Sequence, residues 1–252
     1  MQIMSLVGII SDIHGNLEAL RAVLRAMDKD GAELLIHLGD LVGYNANPSE
    51  CLNLVRSRKV VSVLGNHDLA ALDPKMAESF NIFAHQAIMY TRRQLSGADL
   101  RYIHSIPRID VLWDKYLCCH GTPASLESYI SNLFQAKRTF NLLQKHYKGI
   151  HVCFFGHTHM QKLWIRDPRG KVSLMQNPQG AVKLNPDVIY LINPGSVGQP
   201  RQKDNRAHYI LLDTAKQCVW LKAVPYEIKK AQAKIIAAGL PEYLAKRLED
   251  GI

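Results

Sequence analysis

With 252 residues, of which 47% are hydrophobic and 21% charged, the chain has enough apolar side chain to bury a large core and too much to be disordered. Its five cysteines (Cys51, Cys118, Cys119, Cys153, Cys218) show no CxxC spacing, which argues against a disulfide framework or a zinc knuckle and for free, buried thiols in a reducing cytoplasm. No apolar stretch approaches the ~20 residues of a membrane helix. The net charge of +9 favours encounter with polyanions, including nucleotides and phosphorylated metabolites, but the basic residues are scattered without interleaved aromatics, so they read mostly as a solvated surface and not as a dedicated nucleic-acid-binding motif.

In chain order, the run Ile3 to Ile10 lacks a basic leader and flows into polar residues, so it reads as a strand, Leu6 to Ser11, and not as a signal-peptide core. A helix follows, with Asn16 as N-cap, an apolar stripe at Leu17, Leu20, Leu24 and Met27, and a stop at Gly31. Leu34 to Leu38 is a second strand, and Asn47-Pro48-Ser49-Glu50 opens a helix with Asn47 as cap. Val60 to Leu64 is a third strand, and a helix is expected from about Lys75 to Leu95. The second half is strand-rich: Tyr116 to Cys119, His151 to Phe155, Leu163 to Arg166, Val172 to Met175, Ile189 to Ile192, His208 to Leu212 and Val219 to Ala223. A helix from about Leu133 to Tyr147 interrupts it, and the tail from Glu227, broken at Pro241, forms one or two short helices. The alternation indicates an α/β sheet, and the lack of a linker or repeat indicates one domain over residues 1–252.

Five short polar clusters each follow an apolar run: Ser11-Asp12-Ile13-His14, Gly39-Asp40, Gly65-Asn66-His67-Asp68, His120-Gly121 and Gly156-His157-Thr158-His159. In an open α/β sheet the ligand crevice lies beyond the carboxyl ends of the strands, so five strand ends can converge there. The clusters supply three carboxylates, one amide and five imidazoles, a set suited to Mn, Fe, Zn, Co or Ni. Asp12 and His14 stand two apart in an apparently extended segment, so their side chains would share one side, and His157 and His159 repeat the spacing. Spacing alone does not assign ligands to metals.

The series Asp-x-His, Gly-Asp, Gly-Asn-His-Asp, His-Gly and Gly-His-x-His resembles the calcineurin-like metallophosphoesterase superfamily. The phrases SDIHGN at Ser11 to Asn16, GDLVGY at Gly39 to Tyr44, GNHD at Gly65 to Asp68 and NPGSVGQPR at Asn193 to Arg201 are similar to its small prokaryotic phosphodiesterase branch. The resemblance implies a four-layer α/β/β/α sandwich with two mixed β-sheets. It implies two divalent metal ions, one held by Asp12, His14, Asp40 and His159, the other by Asp40, Asn66, His120 and His157, with Asp40 bridging. A metal-bridging hydroxide would attack phosphorus in line, with no separate side-chain base. In the same resemblance His67 stabilises or protonates the leaving group, and Asp68 orients His67. Protein phosphatases of the superfamily carry Gly-Asn-His-Glu and an arginine soon after Gly-Asp. Here Leu41-Val42-Gly43-Tyr44 and Asp68 stand instead, which disfavours that activity.

The expected activity is therefore hydrolysis of phosphodiester bonds in a small phosphorylated or nucleotide-like substrate in the cytoplasm; a homo-oligomer is compatible with the chain. Phosphomonoester or dinucleoside-polyphosphate hydrolysis would use the same cluster, with specificity set by crevice walls such as residues 122–149. A non-catalytic scaffold on the same fold would lack ligands or the leaving-group histidine, and here every position is filled. The six histidines outside the motifs read as structural. Asn193-Pro194-Gly195-Ser196 reads as a turn; beside a metal site its N–H groups would face substrate oxygens, with Arg201 or Arg206 as phosphate contacts.

Overall fold

The computed structural model describes residues 6–175, 178 and 180–252, so residues 3–5 of the opening apolar run lie outside the described residues. Strand β1 (Leu6–Ile10) pairs in parallel with β2 (Leu34–His37), and β2 in parallel with β3 (Val61–Ser62). On its other edge β1 pairs antiparallel with β11 (Ala207–Asp213), and β12 (Cys218–Val224) and β9 (Val182–Lys183) complete the sheet. The second sheet runs in the order β4 (Ile109–Leu112), β5 (Tyr116–Cys119), β6 (Val152–Phe154), β10 (Ile189–Pro194), β7 (Gln161–Arg166), β8 (Val172–Met175). Within it β5, β6 and β10 are mutually parallel and the outer pairs antiparallel, so both sheets are mixed.

Strand alternation builds the layers. Val7 and Ile9 of β1 point between the sheets, where they meet Ile36, Ile210, Cys118 and Phe154. Ile10 points the other way, into a cluster with Leu20, Val23 and Met27 of α1 (Leu17–Asp30). Leu117, Cys153 and Phe155 likewise face outward to Phe140 and Leu143 of α6 (Leu133–His146). Each such fully buried side chain is worth about 1.5–3 kcal/mol. The result is helix, sheet, sheet, helix, the expected four layers. Among the described residues no helix is long and apolar enough to cross a membrane.

Asn16 caps α1 by accepting from the Ala19 N–H, and left-handed Gly31 ends it. Asn47 occupies the N-cap position of α2 (Pro48–Ser57) without capping it, because its Oδ1 accepts from Lys234 Nζ and its Nδ2 donates to Glu50. The helix expected over 75–95 is broken. Pro74–Ser79 is a 3₁₀ turn started by the Asp73 side chain on the Lys75 N–H, and Asn81 restarts the chain as α4 (Ile82–Gln94) by accepting from Phe83 and Ala84. Two short helices escape periodicity: α3 (Asn66–Leu72), which starts inside a polar cluster, and α5 (Gly97–Ser105), opened by a Ser96–Asp99 capping box. Strands β4 and β9, of four and two residues, were also not expected. The tail forms α7 (Ile228–Ala237) and α8 (Glu242–Asp250) on either side of Pro241. Four cysteines are buried free thiols and Cys218 is partly exposed.

Candidate metal centre

The carboxyl ends of β1, β2, β3, β5 and β6 deliver the five polar clusters to one place. They arrive by turns, and the extended spacing expected of Asp12 and His14 is not what the structure has. Asp12, His14, Asp40, His157 and His159 all hold left-handed φ values between 48 and 65°. Such backbone costs a side-chain-bearing residue about 1–2 kcal/mol and persists only where its surroundings enforce it. Here the Asp12 N–H donates to Gly39 O (3.0 Å), the His14 N–H to Asp40 O (2.9 Å), and the Gly198 N–H to Asp12 O (2.9 Å). Asn45 clasps the same turn, donating from Nδ2 to His14 O (2.9 Å). A Cβ on Gly65 would collide with the backbone and carboxylate of Asp40, so only glycine lets β3 pass this close.

Two groups of potential ligand atoms result: Asp12, His14, Asp40 and His159, and Asp40, His120 and His157, all buried, with the atoms of each group within 4.8 Å of one another. Asp40 belongs to both. Its Oδ1 accepts from the His67 N–H (2.8 Å), while its Oδ2 accepts no hydrogen bond and lies 3.6 Å from His14 Nε2 and 3.2 Å from His120 Nε2. Asn66, first residue of α3, sets Oδ1 3.0 Å from His120 Nε2 and so joins the second group.

Each histidine is locked by a backbone carbonyl. Nδ1 of His14, His120 and His159 lies 3.0, 2.8 and 2.7 Å from the carbonyl oxygens of Val42, Leu38 and Gln199, and Nε2 of His157 lies 3.1 Å from Glu127 O. A ring N–H donated there leaves the opposite nitrogen as a lone pair facing the cluster, the outer-shell pattern that fixes metal-binding imidazoles. His14 and His159 turn their Nε2 atoms to within 3.1 Å of each other. Burial holds both well below the usual imidazole range, so two lone pairs face one another with no proton to share. A cation between them is what this donor set fits. In the second group burial disfavours a charge on His120, but Asp40 outweighs it and raises its pKa to about 10. Burial likewise opposes charge on Asp40, while His120, His67 and His14 hold it well below the usual carboxylate range.

His67 lines the neighbouring cavity, its ring packed 4.8 Å from His14, 4.6 Å from Tyr44 and 4.8 Å from Phe80. The expected contact from Asp68 is absent: His67 Nδ1 is buried without a partner, and both Asp68 oxygens are spent on backbone. Asp68 Oδ2 accepts from the N–H groups of Asp40 (2.9 Å) and Gly65 (3.0 Å), and Oδ1 from that of Val42 (3.1 Å). Asp68 therefore holds the Asp40 turn, and no hydrogen bond joins it to His67 Nδ1. Asp68→Ala leaves three buried donors unsatisfied, at about 1–3 kcal/mol each, and is expected to lower unfolding free energy by about 3 kcal/mol or more. Asp68→Asn, which keeps one acceptor oxygen, should lose less; equal stability of both variants to wild type in denaturant titrations would refute this role.

The cavity beside the two groups has a volume of about 340 Å³ and is lined by Asp40, Asn66, His67, His157 and His159 together with Tyr44, Phe80, Glu127, Tyr129 and Arg201. Tyr129 stacks on His157 at 4.1 Å, so the 122–149 segment does form part of the wall. No pattern in the sequence marks Phe80, Glu127 or Tyr129; Tyr44 alone sits in a recognisable phrase. The turn Asn193 to Ser196 lies beside the site, and the N–H groups of Gly195, Val197, Gly198 and Gln199 are all taken by protein acceptors. Arg206 is paired with Asp204 and lines a different cleft, whereas Arg201 lines this one. Among the described residues, none of the six other histidines joins either group.

Comparison with known proteins places this fold in a family. The chain is 35% identical over 254 residues to the uncharacterized protein MJ0912 of Methanocaldococcus jannaschii, covering 97% of each. It superposes on the crystal structure of a metallophosphoesterase from Sphaerobacter thermophilus with a TM-score of 0.84 at 36% identity, over 98% of this chain and 99% of the other. The hypothetical protein PH1004 of Pyrococcus horikoshii OT3 shares the fold, with a TM-score of 0.75 at 19% identity over 98% of both chains. The Calcineurin-like phosphoesterase superfamily domain matches residues 4–217, and with the converging Asp and His groups this establishes that the chain belongs to the calcineurin-like phosphoesterase superfamily.

Proposed function

We propose that this chain, as one domain over residues 1–252, hydrolyses phosphodiester bonds of a small, nucleotide-like substrate at a dinuclear metal site in the cytoplasm. The observation that carries the reading is the pair of buried ligand groups sharing Asp40. Asp12, His14, Asp40 and His159 would hold one ion, and Asp40, Asn66, His120 and His157 the other. Mn, Fe, Ni, Co or Zn suits these oxygen and imidazole donors. When bound, such ions supply Lewis acidity toward water and toward the phosphoryl oxygens.

The protein's own groups do the rest. The five left-handed residues and the carbonyl-locked rings preorganise the donors, so little rearrangement opposes binding. His67 stands at the cavity wall, where the leaving oxygen of a substrate spanning Asp40 and His159 would fall. Burial pulls its pKa down to about 4, so at neutral pH the ring is uncharged and acts by hydrogen bonding to that oxygen. The aromatic rings of Phe80 and Tyr129 flank the opening and suit a flat substituent on the phosphate.

Metal-stripped protein given Mn²⁺, Ni²⁺, Co²⁺, Zn²⁺ or Mg²⁺ singly is expected to hydrolyse bis(p-nitrophenyl) phosphate faster than p-nitrophenyl phosphate, and to be inactive without metal. Preference for the monoester would replace this reading with a phosphomonoesterase. Two bound ions with no turnover of either ester would count against both.

A further inference from the structure

Arg201 enters the cavity as a guanidinium without a counter-charge. Its Nη2 donates to Gln199 Oε1 (2.8 Å) and reaches the Tyr44 hydroxyl at 3.5 Å; its Nε is buried with no hydrogen-bond partner. It makes no salt bridge with a described carboxylate, unlike Arg206, which Asp204 neutralises two residues away. Gln199 beside it also buries an unpartnered donor, Nε2. The backbone fixes this placement: the Arg201 N–H donates to His159 O (3.2 Å), and Gln199 O faces His159 Nδ1 (2.7 Å). The Tyr44 ring, 5.9 Å from the guanidinium carbon, backs the guanidinium from below.

A fixed cation next to a site built for cations is unfavourable unless an anion lies between them. The two groups contain only Asp12 and Asp40 as carboxylates, so two divalent ions would leave the cluster positive even before Arg201 is counted. The guanidinium fork matches two oxygens of a phosphoryl group, and its unused N–H donors are what such a ligand would satisfy. We infer that Arg201 binds the non-bridging oxygens of the substrate phosphate and holds it against the ligand cluster, so that the site selects phosphoryl oxyanions at this residue. The inference rests on the reading of the cavity as a phosphoester site.

The test is calorimetric titration of inorganic phosphate into the Mn²⁺-loaded protein, wild type against Arg201→Ala, Arg201→Lys and Arg206→Ala, with bound manganese measured in each. Arg201→Ala should weaken phosphate by ~10–100-fold, as expected for loss of a charge-assisted pair, with metal content unchanged. Arg201→Lys should recover part of the loss, Arg206→Ala, in a different cleft, should bind as wild type, and KM for bis(p-nitrophenyl) phosphate should rise in Arg201→Ala by more than kcat falls. Phosphate affinity within twofold of wild type in Arg201→Ala overturns the inference, as does a wild type that binds no phosphate, or an Arg206→Ala that reproduces the whole loss. Should Arg201→Ala not fold, Arg201→Gln takes its place under the same criteria. A wild type that binds phosphate through Arg201 yet hydrolyses no ester would refute the proposed activity and leave this inference standing; active wild type with Arg201-independent phosphate binding would do the reverse.

Discussion

Replacing Asp40 with alanine is expected to cost the protein both metal ions together and, with them, all hydrolysis. Asp40 is the residue common to the two ligand groups. Its Oδ2 stands between His14 Nε2 at 3.6 Å and His120 Nε2 at 3.2 Å, so it would be the oxygen that both subsites share. Removing it leaves Asp12 as the only carboxylate against four imidazoles, so both subsites lose charge as well as a donor. Loss of an outer-shell partner alone costs ~10–100-fold in metal affinity, and loss of a shared ligand should exceed that at each subsite. The alanine variant also strips the acceptor from the His67 N–H, which could disturb the fold for an unrelated reason. Asp40→Asn separates the two effects, since it keeps an oxygen for that N–H while surrendering the bridging charge. Metal analysis after dialysis should find both ions depleted in both variants. Full occupancy of either subsite in Asp40→Asn would defeat the assignment of Asp40 as the bridge.

The site residues are legible in the sequence because each follows an apolar run that must be a buried strand, and strand ends in such sheets face one crevice. What the sequence does not carry is their orientation. Asp12 and His14 look like alternate residues of an extended segment, yet both are left-handed, and it is the pairing of that turn with Gly39, Asp40 and Gly198 that makes the conformation tenable. Asp68 follows His67, and the family resemblance implies that it orients and supports its neighbour. The two open a helix, where consecutive side chains diverge by about 100°, so His67 faces the cavity and Asp68 faces the backbone of Asp40. The expected helix over 75–95 failed where two side chains, Asp73 and Asn81, compete locally for backbone N–H groups, a signal that periodicity does not weigh. Arg201 and Arg206 are equivalent as sequence; Asp204 decides between them by claiming the second.

His67→Ala is expected to retain both metal ions and lose ~10²–10⁴-fold in turnover, the range for removal of a group assisting proton transfer. The ring touches the ligand cluster by packing, with its Nδ1 unpartnered and its edge on the cavity, so truncation removes no donor from either group. The size of the loss should depend on the leaving group. Burial lowers the His67 pKa to about 4, with Asp40 opposing the shift and Arg201 reinforcing it, so as pH rises through that value the charged form disappears and the ring is neutral near pH 7. The neutral ring can help only by donating to an oxygen that is gathering negative charge, and a strongly basic alkoxide needs that help far more than p-nitrophenolate does. His67→Ala should therefore approach wild-type rates on bis(p-nitrophenyl) phosphate more closely than on a diester with an alkyl leaving group. An equal loss on both, with metals retained, would assign His67 to binding the phosphate and not to the departing oxygen. Loss of metal in step with turnover would place it in the ligand set, which its geometry argues against.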